Sequence, residues 1–406
     1  MAALKIALAK AARGGTIAAA TGGAALLVMA CGSAAGATRA QVQTARAGMP
    51  EGVVVTSVVD LVSPWLGLVG LGASASGTTG GEARLMLTTN FGRTFTSIGP
   101  KTSALTEPDS IFFLDRDHGW FATFSVLTLQ EKVYRTSDGG RHWQSFAAPG
   151  HNLAGGSADS LQFLNRRDGF LTDVVANAPE ESLYRTTDGG ATWRLIASLQ
   201  PERRHGTGVL PELGQTEFAA GGKVGYLGGG MFSHALYRTS DGGRTWRKAD
   251  LPAPSGSQFG LPALSGQTQA EPVTIRSSGS VRLRTYLSVD GGATWSPRSA
   301  LAAPTAACIG PIASDLSHGW AAAVQAHQVL VFRASNQGRS WITFRTHVPT
   351  PPGSCGPDQI TAPGPSQGWL VVPGPVANGA GTTRIYTSAD GGKTWRRIDQ
   401  EALRTV

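Results

Sequence analysis

Short apolar runs separated by polar, glycine-rich breaks recur along the whole chain. Near residue 110 the run SIFFL gives way to RDHG. WFATF then resumes, KVYRT alternates, SDGGR breaks again and HWQSF closes. Runs of this length, rich in Val, Ile, Phe, Tyr, Trp and Thr and bounded by Gly, Asp and Asn, predict β-strands. Four such strands make one unit, and no amphipathic helical pattern competes within it.

The second break returns almost verbatim. VYRTSDGGRHW ends at Trp143, LYRTTDGGATW at Trp193, LYRTSDGGRTW at Trp246 and IYTSADGGKTW at Trp395. The pattern [Ser/Thr]-x-[Asp/Asn]-x-Gly-x-[Thr/Ser]-[Trp/Phe] is met or nearly met at seven anchors, Asn90, Asp138, Asp188, Asp241, Asp290, Asn336 and Asp390. Successive anchors lie 48, 50, 53, 49, 46 and 54 residues apart, a period that belongs to solenoids, arrays and propellers. Upstream of most anchors an aromatic follows glycine, at Trp120, Phe170, Tyr226, Trp320 and Trp369; Trp65 fits the place in the first unit, and the unit around Asp290 lacks it. All ten Trp residues fall in these two elements, so none is left over as a ligand platform.

A four-stranded antiparallel sheet of this size cannot bury both faces alone, and radial repetition buries them against copies of itself. The expected fold is therefore all-β, one seven-bladed propeller of four-stranded antiparallel blades over residues 52–400, with a tail at 401–406. The repeated turn resembles the Asp-box, or bacterial neuraminidase repeat. With the Gly-aromatic element, the units resemble those of photosystem II assembly-factor-like propellers and the wider BNR-repeat family, sialidase-like in fold. The resemblance implies that each turn joins the third and fourth strands of a blade. There the acid accepts hydrogen bonds from the loop's own N–H groups, and glycine permits positive φ. Asn at 90 and 336 can still accept a hydrogen bond but cannot serve as a base, so the turns are read as structural.

The N-terminus changes the picture of location. Residues 1–30 carry Lys5, Lys10 and Arg13, no acid, and an apolar small-residue run ending before Cys31. This is a signal pattern. Val28-Met29-Ala30-Cys31 resembles a bacterial lipobox, which implies a lipid on Cys31; an ordinary signal cleaved nearby is the other reading. Either places the repeats outside the cytoplasm. Residues 31–51, rich in Gly, Ala and Thr, read as a flexible tether.

The formal net charge is +8, and +5 without the three signal cations. No basic cluster longer than Arg203-Arg204 occurs, so nothing points to nucleic acid. In an oxidising compartment Cys308 and Cys355 are expected to pair as a disulfide. Two cysteines do not make a zinc site, and no cofactor, metal ligand set or catalytic residue is implied; a monomer is expected.

Two functions stay open. One is a non-enzymatic binding or assembly scaffold for a protein or an envelope glycan. The other is a glycoside hydrolase of sialidase-like or xyloglucan-active type. The Arg-Ile-Pro element of sialidases is absent, but two carboxylates at a suitable separation suffice for other hydrolases. Counting eleven residues back from the upstream aromatic gives Asp109, Asp159 and Asp358, with Gln215 at the same count. These positions, joined by Glu271, are expected just before the innermost strands and are the candidate binding acids. Arg203, Arg204 and His205 lie in the longest connection and are candidates for partner contact.

Overall fold

Alternation in each unit settles into strands whose two faces meet neighbouring units. The computed structural model describes residues 54–61, 66–74, 80–103, 106–125, 128, 130–149, 156–175, 181–199, 215–219, 221–228, 234–277, 280–303, 308–314, 316–352, 354, 357, 359–362, 364–374 and 383–398. They form seven antiparallel sheets, arranged as a seven-bladed propeller. Blade one spans 54–97, blade two 106–147, blade three 156–199, blade four 215–248, blade five 258–303, blade six 308–349 and blade seven 359–397. Among the described residues no helix is long and apolar enough to cross a membrane.

Blade two shows the plan. Its innermost strand Thr106–Phe113 pairs with Gly119–Ser125, which pairs with Gln130–Thr136, which pairs with the outer strand Gln144–Ala147. One face of the second strand looks back to blade one: Phe121 packs with Leu68, Leu85 and Ile111. The other looks forward to blade three, where Trp120 stacks on Phe163 with centroids 3.6 Å apart and planes 6° apart. Phe170 repeats this on Phe218 at 3.8 Å. Such buried ring pairs contribute about 1 kcal/mol beyond the area they bury. They explain why an aromatic follows glycine so regularly. The glycine has its own reason, because a Cβ at Gly119 would lie 2.4 Å from the Phe113 ring.

Blade five departs from the plan. Its innermost strand is split into Gln258–Phe259 and Ala263–Ser265, both paired with Thr268–Ser277. Gln269 faces Ser288, as Gly119 faces Thr136. Gln269-Ala270 thus stands where other blades have Gly-aromatic.

Every blade is a continuous run of sequence. The strand Val54–Leu61 pairs with Gly67–Ser74 inside blade one, and Arg396–Arg397 pairs with Thr383–Ser388 inside blade seven. The ring therefore closes through side chains. Val69, Met86 and Phe95 of blade one pack with Trp369, Val371, Ile385 and Ile398. Phe91 meets Trp369 edge-on at 6.0 Å, and Arg396 Nη2 donates to the Phe91 carbonyl at 3.0 Å.

Candidate functional site

The repeated turns consume their own polar groups. In blade four Asp241 Oδ1 accepts from the N–H groups of Arg244 and Thr245 at 3.0 and 2.9 Å, while Oδ2 accepts from the Thr245 hydroxyl at 2.7 Å. Thr239 Oγ1 donates to Asp241 and accepts from the Gly243 N–H. Bonds from the Thr245 hydroxyl, then from its backbone N–H, hold the Asp241 carboxyl down at about 2. Asp188, Asp290 and Asp390 repeat the pattern. Asp138 uses His142 Nδ1 at 2.6 Å in place of a hydroxyl. Asn90 keeps the backbone bonds and turns its amide to donate to Thr94 Oγ1 at 2.7 Å. Asn336 differs, sitting at φ 52° with its own carbonyl accepting the Arg339 N–H.

The turns of blades three, five and seven are also clasped by the blade before them. Arg135 Nη1 donates to the Asp188 carbonyl at 2.9 Å, Arg238 Nη2 to Gly291 at 2.7 Å and Arg333 Nη1 to Gly391 at 3.3 Å. These arginines stand three residues before the anchors, in the YRT and FRA words. Blade seven has Thr387 there, and Arg396, its partner on the outer strand, reaches the blade-one turn instead.

The expected ring of acids before the innermost strands takes a different form. Asp109 lies within its strand, at the bulge between Pro108 and Ser110, and is buried. Asp159 holds the same bulge in blade three by backbone register. Gln215 does not share it. The turn after Phe218 is one residue longer than the turn after Phe113, so Gln215 pairs as Ser110 does. Glu271 is a correction as well: it lies on the second strand of blade five, at the place of Phe121, and is completely buried. Asp358, Arg203, Arg204 and His205 lie outside the described residues, as do Cys31 and Cys355. Cys308 begins the strand Cys308–Ser314.

The structure gathers other acids instead. Glu107 and Glu131 flank Phe124 across blade two, and by strand alternation both face blade three. Asp173 of blade three, fully buried, faces back toward them. Burial first, then the charges of Asp173 and Glu131, raise the Tyr184 phenol between them. This carboxylate group sits near the hairpin between second and third strands, on the face opposite the repeated turns. Only Glu107, two residues before Asp109, had a sequence signal.

A second polar junction joins blades four and five. The Tyr226 hydroxyl donates to Gln269 Oε1, and burial pushes its phenol up to about 12. Glu271 faces the same junction, and burial raises its carboxyl well above the usual range, the nearby Gly260 N–H opposing only weakly. Glu217, half-buried on the innermost strand of blade four, is pushed up by burial to about 7. Between blades five and six the missing aromatic leaves a shallow pocket over Ala270, lined by Pro272, Thr285, His318, Gln337 and Trp341.

Comparison with known proteins follows the architecture. No family model and no curated protein matches the chain. Among solved structures it is similar to YCF48 bound to D1 peptide, at 19% identity over 74% of this chain and 84% of that one, with a TM-score of 0.46. It is similar to a prolyl endopeptidase at 10% identity over 89% of this chain and 51% of that one, TM-score 0.53. The GH74 xyloglucanase from Xanthomonas campestris aligns at 16% identity over 86% and 45%, TM-score 0.37. At these identities the likeness is one of fold alone.

Proposed function

We propose that this chain is a non-enzymatic binding or assembly scaffold, exported and held at a membrane by lipid on Cys31, with a protein or envelope polymer as partner. The observation that carries the reading is where the acids are spent. The turn carboxylates are occupied within their own turns, and the blade-two and blade-three group is enclosed between sheets. A hydrolase needs carboxylates on both sides of a bound glycosidic linkage, whereas a scaffold needs a rigid ring with connections free to vary. The test pairs two measurements: crosslinking of the protein to envelope components in cells, and a glycan-hydrolysis panel on the purified mature protein. Specific crosslinks without hydrolysis support the scaffold.

One observation favours the hydrolase. Glu217 has a carboxyl near 7, the condition of a general acid at neutral pH. Hydrolysis in the panel that is lost in Glu217→Gln would replace the scaffold reading.

A further inference from the structure

Blade six breaks the repeat at its turn, and the break lengthens its outer edge. In the other six blades, pairing of third and outer strands starts three residues before the anchor, as with Arg135 and Gln144. In blade six it starts one residue before, with Ser335 and Ser340. Asn336 and Gln337 hold left-handed backbones, φ 52° and 57°, before Gly338 at 76°. Successive left-handed residues close tight hairpins, so these strands stay paired up to the turn. Six pairs then run without a shift, from Ser335 with Ser340 to Leu330 with Arg345.

The outer strand Ser340–Pro349 is ten residues long, and among the described residues no strand pairs with its far side. The other outer edges are guarded. Those of blades one, four and seven are two residues long, and that of blade two is four. A register shift interrupts those of blades three and five, and Pro297 also lies in the latter. Residues 340–344 carry no charge, proline or glycine, and their Trp, Ile, Thr and Phe favour strands. Trp341 packs with Val281 and Leu283 of blade five. Ile342, on the opposite face by alternation, is 46% exposed.

A second copy of the chain does not suit this edge. A two-fold axis through Ile342 would bury that side chain against itself, but it would also set Arg345 opposite Arg339 of the other copy. Like charges directly opposite are destabilising. Both arginines are exposed and outside any ion pair among the described residues, and blade six has no described acid. Carboxylates at the two ends of a short strand would meet them.

We propose that residues 340–345 of blade six bind an extended segment of a partner protein as a fifth strand, with an apolar residue against Ile342 and acids near its ends. This names the partner contact of the scaffold reading above and rests on it. In this mode backbone bonds give affinity and alternate side chains give selectivity.

The test selects binders to the purified mature protein from a library of displayed random heptapeptides. Selected peptides should alternate apolar and polar residues, carry acids near their ends and slow amide hydrogen exchange in residues 340–345. Methylating single peptide amides should abolish binding at alternate positions and spare it at those between, because an added strand pairs along one edge. Ile342→Ala should weaken binding about fivefold with Tm unchanged. Arg339→Gln with Arg345→Gln should remove its salt dependence. Leu195→Ala, on the interrupted edge of blade three, should leave binding unchanged. Protection confined to other blades, binding that withstands methylation at every position, or failure to select any binder overturns the proposal. A dimer that Ile342→Ala dissociates would put a second copy on the edge and overturns it too. Protein crosslinks in cells together with any of these failures would leave the scaffold reading intact and remove only this one.

Discussion

Arg396 and Phe91, separated by 305 residues, meet across the ring closure through a 3.0 Å hydrogen bond. In blades two, four and six the arginine that clasps the next turn stands on the third strand. Here the outer strand supplies it, because the third strand has Thr387. Removing it with Arg396→Ala should lower stability by about 1 kcal/mol, the usual contribution of such a bond. Thr387→Arg, which recreates the clasp of those blades, should recover part of the loss. Melting temperatures of the single and double variants check this, and absence of any rescue would count against a shared clasp.

Phe91 holds a left-handed backbone, φ 61°, at a place where Gly139 and Gly189 stand in the next two turns. A side chain there costs about 1 kcal/mol, which its edge contact with Trp369 offsets. Phe91→Gly should therefore be milder than Phe91→Ala, since alanine keeps the strain and loses the ring. The reverse order of melting temperatures would contradict this.

Glu271 is the sole acid at a place that is apolar in the other blades: Val69, Phe121, Leu171, Leu227, Ala321 and Leu370. Its folded pKa lies above the ordinary 4.5. Below that value both folded and unfolded states are protonated and nothing is lost. As pH rises from there through the folded pKa, the unfolded state ionises first and stability falls. Glu271→Gln should remove this decline, so its advantage in melting temperature should grow with pH. A constant difference across pH would refute the assignment.

Asp241, held down at about 2 by bonds in its turn, has the opposite sign. Its contribution is present above the ordinary 3.8 and fades as pH falls toward 2. Asp241→Asn should be mild, since Asn90 already makes the backbone bonds, and Asp241→Ala should lower the melting temperature more. Equal losses would deny that the acid acts as an acceptor.

Pairing of Cys308 with Cys355 is expected to close a 47-residue interval and to contribute about 4 kcal/mol in the chain-entropy model. Two free thiols in the oxidised, denatured protein would rule it out.

The period and blade count were legible in the sequence because both repeated elements answer to local rules: glycine at positive φ, an acid capping its own loop, an aromatic after glycine. What was not legible depends on the neighbouring blade. The extra residue after Phe218 shifted the count that placed Gln215 with Asp109. Glu271 followed no aromatic, so its strand could not be assigned without pairing to Tyr286. Nothing in the sequence singles out Arg135 and Arg238, because only the ring brings the next turn's carbonyls to them. The convergence of Glu131 and Asp173 likewise requires two sheets face to face.

Closure without an exchanged strand has a consequence for how the chain could be rewired. The seam between blades seven and one is made of the same materials as the seam between blades six and seven: an indole edge, an arginine on a carbonyl, an apolar layer. Among the described residues no blade borrows backbone pairing from a distant part of the sequence, so the ring they form has no privileged starting point. A circular permutant with its ends between blades three and four, and a linker joining blade seven to blade one, should assemble the same propeller.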